Sequence, residues 1–86
     1  MKVTVEFVGY ISVRAGAKKA SLNVQKGTFE GIKEVLTKHY NYRDWGANDE
    51  KAAYIVFLNG QRCKWDSALT IRDGDVLTFF PLVAGG

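Results

Sequence analysis

The first residues alternate, with Val3, Val5 and Phe7 on one side and Thr4, Glu6 and Val8 on the other, the two-residue period of a half-buried strand. Ser21-Leu22-Asn23-Val24 alternates again and stops at Lys26-Gly27, which predicts a second strand pairing with the first. The intervening stretch from Gly9 to Lys19 holds Gly16 and several basic residues without a clean period, and it adds no element to the predicted order. After Gly27 the period changes. Phe29, Ile32, Val35, Leu36 and Tyr40 follow the three-and-four spacing of one helical face, while Lys33, Glu34 and Lys38 occupy the other. Thr28 is placed to cap this helix by accepting a free backbone N–H, and Glu30 suits the positive end of the helix dipole. Gly31 weakens the first turn by up to ~1 kcal/mol relative to alanine, so the helix depends on packing more than on propensity.

From Asn41 to Ala52 polar residues dominate without rhythm, which predicts a solvated connection and the most mobile segment of the chain. Tyr54 to Leu58 is a β-prone run, and Asn59-Gly60 suits the positive backbone angles of a tight type I′ hairpin, so Gln61 to Lys64 is predicted to return antiparallel. Asp73-Gly74-Asp75 reads as a turn into a last strand, Val76 to Phe80, stopped by Pro81, which has no N–H for the ladder. The predicted order is β-β-α-β-β-β. The expected core comprises Val3, Val5, Phe7, Leu22, Val24, Ile32, Val35, Leu36, Ile55, Phe57, Leu77 and Phe79. One helix over one sheet leaves little volume for an enclosed ligand cavity of ~300 Å³ or more, so function is sought at the surface and the ends.

Composition narrows the classes. Eighty-six residues, 47% hydrophobic and 24% charged, suit one small domain rather than two. No run approaches the ~18 apolar residues of a membrane span, and the opening residues lack the apolar core of a secretory signal, so a cytoplasmic protein is expected. Cys63 is the single cysteine and His39 the single histidine, far apart in sequence, so neither an internal disulfide nor a metal site is expected. Cys63 reads as a half-buried apolar residue and His39 as a helix-end cation, with no nucleophile at recognisable spacing. A net charge of +3 falls short of a nucleic-acid-binding composition, and Arg14, Lys18, Lys19, Lys26, Arg62, Lys64 and Arg72 read as solubilising charges. Tyr42, Trp45 and Trp65 flank loops, where aromatics either anchor a partner or seal the core edge; both readings stay open.

The strongest chemical signal is the ending, Phe79-Phe80-Pro81-Leu82-Val83-Ala84-Gly85-Gly86, which tapers to two glycines. Two terminal glycines arise by chance in about 0.5% of chains, given glycine usage near ~7%. Without side chains, such a terminus can pass through a channel too narrow for other residues and present its carboxylate inside another protein. A carboxylate is a weak electrophile until its oxygen becomes a good leaving group, for instance in an acyl adenylate made from ATP. The chain holds neither GxxxxGK[ST] nor GxGxxG, so the nucleotide site is expected on a partner enzyme.

With this ending, the predicted order resembles the β-grasp (ubiquitin-like) fold, and within it the sulfur-carrier proteins of the small molybdopterin-synthase subunit type. The matching pieces are the Val3-to-Phe7 strand, Gly27-Thr28, Asn59-Gly60, Asp73-Gly74-Asp75, and Phe79-Phe80-Pro81 followed by Val83-Ala84-Gly85-Gly86. The resemblance implies an α+β fold: a mixed sheet of four to five strands with one main helix on one face, spanning residues 1–81, and an extended flexible tail over 82–86 ending in Gly-Gly. It implies that the chain is not an enzyme and binds no cofactor. Instead, Gly86 would be adenylated, at the expense of ATP, by an enzyme similar to ubiquitin-activating enzymes, and converted to a thiocarboxylate. The large synthase subunit would then receive the tail, formed by Pro81, Leu82, Val83, Ala84 and Gly85, and sulfur would pass to a pterin precursor. Leu82 departs from the family pattern, where a second proline is common, and its presence is expected to loosen the tail. In this fold the first and last strands are neighbours, so Phe80 and Val8 are expected to form an exposed apolar patch behind the tail for a partner. Three alternatives share the fold: a modifier joined through its last glycine to lysines, a thiamine-type sulfur carrier, which is usually shorter and lacks Phe-Phe-Pro, and a binding module with an incidental tail.

Overall fold

The computed structural model describes residues 1–45 and 54–82. Five strands, β1 (Lys2–Phe7), β2 (Lys19–Asn23), β3 (Tyr54–Leu58), β4 (Gln61–Cys63) and β5 (Val76–Pro81), form one sheet in the order β2-β1-β5-β3-β4. β1 and β5 run parallel at the centre, and the other pairs are antiparallel, so the sheet is mixed. Among the described residues the α-helices are α1 (Tyr10–Ala15) and α2 (Phe29–Tyr40).

The alternation of β1 appears directly as burial: Val3, Val5 and Phe7 are inside, with Thr4 and Glu6 partly exposed. These three pack with Leu77 and Phe79 of β5 and with Ile32 and Leu36 of α2 in a single core. Thr28 caps α2 as expected, its hydroxyl accepting from Gly31 N–H at 3.1 Å. The presence of glycine at 31 also has a packing reason, since a Cβ there would lie 2.5 Å from Lys26 O. Asn59 and Gly60 both take positive φ (51° and 83°), as the predicted hairpin turn requires.

Five features differ from the sequence reading. Tyr10–Ala15 is helical, held by buried Ile11 and Ala15 one turn apart and ended by Gly16 in the left-handed conformation. Tyr42–Asp44 forms a 3₁₀ turn and Trp45 is 1% exposed, so the first part of the predicted solvated connection is ordered against the core; residues 46–53 lie outside the described residues. Ile55 and Phe57 are half-buried, whereas Val56 is in the core, because Val56 stands opposite Phe79 in the β3–β5 register. Val35 is likewise half-buried and packs on the edge of the core, to which Leu69 and Ile71 contribute instead. Pro81 does not lie beyond the last strand but forms its final residue, opposite Tyr54.

Candidate functional site

Successive strand residues point to opposite faces, so the inward Val56, Leu77 and Phe79 turn Ile55, Phe57, Thr78 and Phe80 to the face away from α2. Val8 continues β1 beside Phe80: Phe7 is in register with Phe79, and Val8 N–H donates to Phe79 O at 3.0 Å. The sequence-predicted pair is therefore adjacent. Phe80 is 36% exposed, and its ring meets Phe57 edge-on at 5.1 Å between centroids. Val8, Ile55, Phe57 and Phe80 thus make an apolar surface, and Ile55 and Phe57 were missed because the sequence reading put them inside. Polar groups border it. Thr78 Oγ1 donates to Glu6 Oε1 at 3.2 Å on one side, and Arg62 stands opposite Phe57 on the other.

At the end of this surface the chain leaves the sheet. Pro81 is half-buried and Leu82 is 53% exposed. Val83, Ala84, Gly85 and Gly86, the rest of the expected tail, lie outside the described residues. On the same end α1 exposes Val13 and part of Tyr10.

The remaining candidates resolve into ordinary structure. Trp45 seals the core, with Nε1–H donating to Tyr40 O at 2.9 Å and its ring 5.1 Å from that of Phe7. Trp65 Nε1–H and Tyr54 Oη–H both donate to Tyr42 Oη, at 2.7 and 2.6 Å, closing the same edge. Burial and the hydrogen bond to Tyr42 push the Tyr54 phenol well above its usual pKa, so it stays a neutral donor. Cys63 is half-buried, 3.6 Å from Val56 O; burial, helped by the Asp66 charge, pushes its thiol up and away from the reactive thiolate. His39 is exposed in the last turn of α2.

Lys19 and Arg62 lie in β2 and β4, the two opposite edges of the sheet, so the basic residues do not form one surface. Among the described residues no three His, Cys, Asp or Glu side chains group as metal ligands, and no helix is long and apolar enough to cross a membrane. A depression of about 520 Å³ on the outer side of α2, lined by Glu30, Lys33, Glu34, Lys38, Tyr42 and Arg43 among others, is open to solvent.

Solved structures repeat this fold. The crystal structure of SAMP1 from Haloferax volcanii, the small archaeal modifier protein 1, superposes with a TM-score of 0.78 at 18% identity, covering 100% of both chains. A Pyrococcus furiosus protein described as subunit 1 of a molybdopterin converting factor gives 0.72 at 26% identity, over 96% of this chain and 99% of the other. A chain of the BexX/CysO complex of Amycolatopsis orientalis gives 0.63 at 30% identity, over 98% and 99%. No curated protein matches this chain in sequence. The ThiS family model matches residues 5–86, from the first strand through the two final glycines. With the β-grasp sheet, the helix across one face and that match over nearly the whole length, the chain belongs to the ThiS family of ubiquitin-like sulfur carriers.

Proposed function

We propose that this chain carries sulfur for molybdopterin synthesis as a thiocarboxylate on Gly86. An ATP-dependent enzyme similar to ubiquitin-activating enzymes adenylates the Gly86 carboxylate. Hydrosulfide then displaces AMP from the acyl adenylate, and the resulting thiocarboxylate enters the large subunit of molybdopterin synthase. The observation that carries this reading is the family match extending through Gly85-Gly86. Two further points support it. The Pyrococcus relative is described as a molybdopterin converting factor subunit, and the Amycolatopsis relative is found in a complex with a second protein. The surface of Val8, Ile55, Phe57 and Phe80 adjoins the root of the tail, so a partner seated on it holds the terminus within reach.

In this role the chain is a substrate rather than a catalyst: it contributes the electrophilic carbonyl and the docking face, while the partner holds nucleotide. The test is the deletion of Gly85 and Gly86. Mixed with the activating enzyme and ATP, the full chain is expected to support pyrophosphate release, and the shortened chain to support none while keeping its circular dichroism and melting temperature. Equal release from both chains would return the family's binding-module alternative. The modifier reading is the second one, favoured by the superposition on the Haloferax modifier. It uses the same activated Gly86 and differs only in the acceptor, a lysine amine in place of a sulfur donor.

A further inference from the structure

Pro81 leaves the sheet between two neighbours. On one side it stands opposite Tyr54 of β3; on the other its ring lies against Gly9, the residue just before α1. Gly9 takes φ 63° and ψ −140°, a conformation for glycine rather than for L side chains. A Cβ added there would fall 2.8 Å from Pro81 Cγ and 3.5 Å from Cδ. Gly9 has no room to retreat. Its carbonyl oxygen accepts from Ser12 N–H at 3.1 Å and from Ser12 Oγ at 2.7 Å, and Val8 just before it is bonded to Phe79 O. The proline ring therefore rests on bare backbone that is clamped from both directions.

We infer that Gly9 is a positioning residue: it seats the Pro81 ring and so sets the direction in which the chain departs toward the enzyme that charges it. The inference rests on the proposed charging of Gly86. Its physical basis is leverage. Five residues beyond Pro81 reach at most ~17 Å, so once the partner holds the tail extended a tilt of roughly 10° at the root displaces the far end by ~3 Å. A misplacement of ~1 Å in a reacting group costs up to about a hundredfold in rate. The Phe80 surface, by contrast, is one residue inside the seat and docks as before.

The test uses the full chain as Gly9→Ala, Pro81→Ala and the double variant. In the double variant the added methyl faces only the Cβ of residue 81, at 3.9 Å, which is ordinary contact, while any backbone strain at residue 9 remains. With the activating enzyme and ATP, Gly9→Ala is expected to lower kcat for pyrophosphate release by roughly 10- to 100-fold with KM within about twofold. The double variant is expected to regain part of that loss, a non-additivity of the kind that residues in contact show. A double variant as slow as Gly9→Ala, or a change confined to KM, overturns the seat. If Gly9→Ala does not fold, Pro81→Ala, which removes the ring without straining residue 9, decides: a lowered kcat with KM held supports the seat, and an unchanged kcat overturns it. A second arm needs no enzyme. The nuclear Overhauser contact from Gly9 Hα to the Pro81 ring is expected in the unaltered chain, and the Leu82 amide resonance is expected to move in Gly9→Ala. An unmoved Leu82 amide overturns the seat, whereas no pyrophosphate release by the unaltered chain overturns the charging reading and leaves this arm intact.

Discussion

Replacing Gly27 by alanine drives a methyl group into the backbone of Ile71. The added Cβ would lie 1.9 Å from Ile71 O and 3.0 Å from Ile71 C, so the two segments must part by roughly 1.5 Å to restore ordinary contact. That separation breaks the 2.8 Å hydrogen bond from Ile71 N–H to Gly27 O and lifts Ile71, 2% exposed, out of the core. The lost hydrogen bond costs about 1 kcal/mol and the forced repacking about 1–3 kcal/mol, for a total of roughly 3 kcal/mol. Gly27 does not have positive φ, so without the clash the same change would stabilise the chain by about 0.4–1 kcal/mol through the unfolded state. The sign alone decides. For a domain of this size 3 kcal/mol lowers the melting temperature by about 12–24 °C, readable by circular dichroism. Gly60→Ala is the control: Gly60 has φ 83° and nothing within 4 Å of an added Cβ. It is expected to lose only about 1 kcal/mol, from backbone strain. A Gly27→Ala variant that melts no lower than Gly60→Ala would refute the close approach of the two segments.

Trp45→Ala removes a fully buried ring and its bond to Tyr40 O, and urea unfolding is expected to show a loss of about 3–5 kcal/mol. Phe80→Ala is expected to weaken binding to the activating enzyme or the synthase subunit about tenfold or more, by calorimetry, while lowering stability in urea by only about 1 kcal/mol through the lost contact with Phe57. The Asn59 side chain and the Arg72 backbone N–H, donating to Asp75 at 3.0 and 2.8 Å, hold its carboxyl below the ordinary 3.8. The resulting stabilisation is present above that ordinary value and is lost as pH falls through the lower, folded one. Because Asp75 is near the surface it amounts to less than about 1 kcal/mol. Urea midpoints of the unaltered chain and Asp75→Asn are expected to differ near neutrality and to converge in acid; a constant gap would contradict this.

Where local chemistry decides structure, the sequence was a sufficient guide. Thr28 caps because its hydroxyl is next to free N–H groups, and Asn59-Gly60 turns because both residues tolerate positive φ. The phase of β3 was not legible, since Tyr54 to Leu58 is apolar throughout and only pairing with β5 puts Val56 inside and Phe57 outside. That one-residue shift concealed half of the apolar surface while leaving Phe80 and Val8 correctly placed. α1 was missed because six residues carry less than two helical turns, and its only signs are Ile11 and Ala15 four apart and Gly16 as the stop. Trp45 was hidden in a polar stretch, and it is buried by contacts with Phe7 and Phe79, distant in sequence. The contact of Gly9 with Pro81 is of the same kind, joining the start of the chain to its end.

The central claim is that Gly86 is the working group, and the mass of the intact protein tests it most directly. Purified from its native cells, the chain is expected to include a form ending at Gly86 with one carboxylate oxygen exchanged for sulfur, and that form is expected to vanish on deletion of Gly85 and Gly86. A chain that always ends beyond Gly86, or one that ends there and carries only oxygen even when its activating enzyme, ATP and a sulfur donor are supplied, would contradict the account.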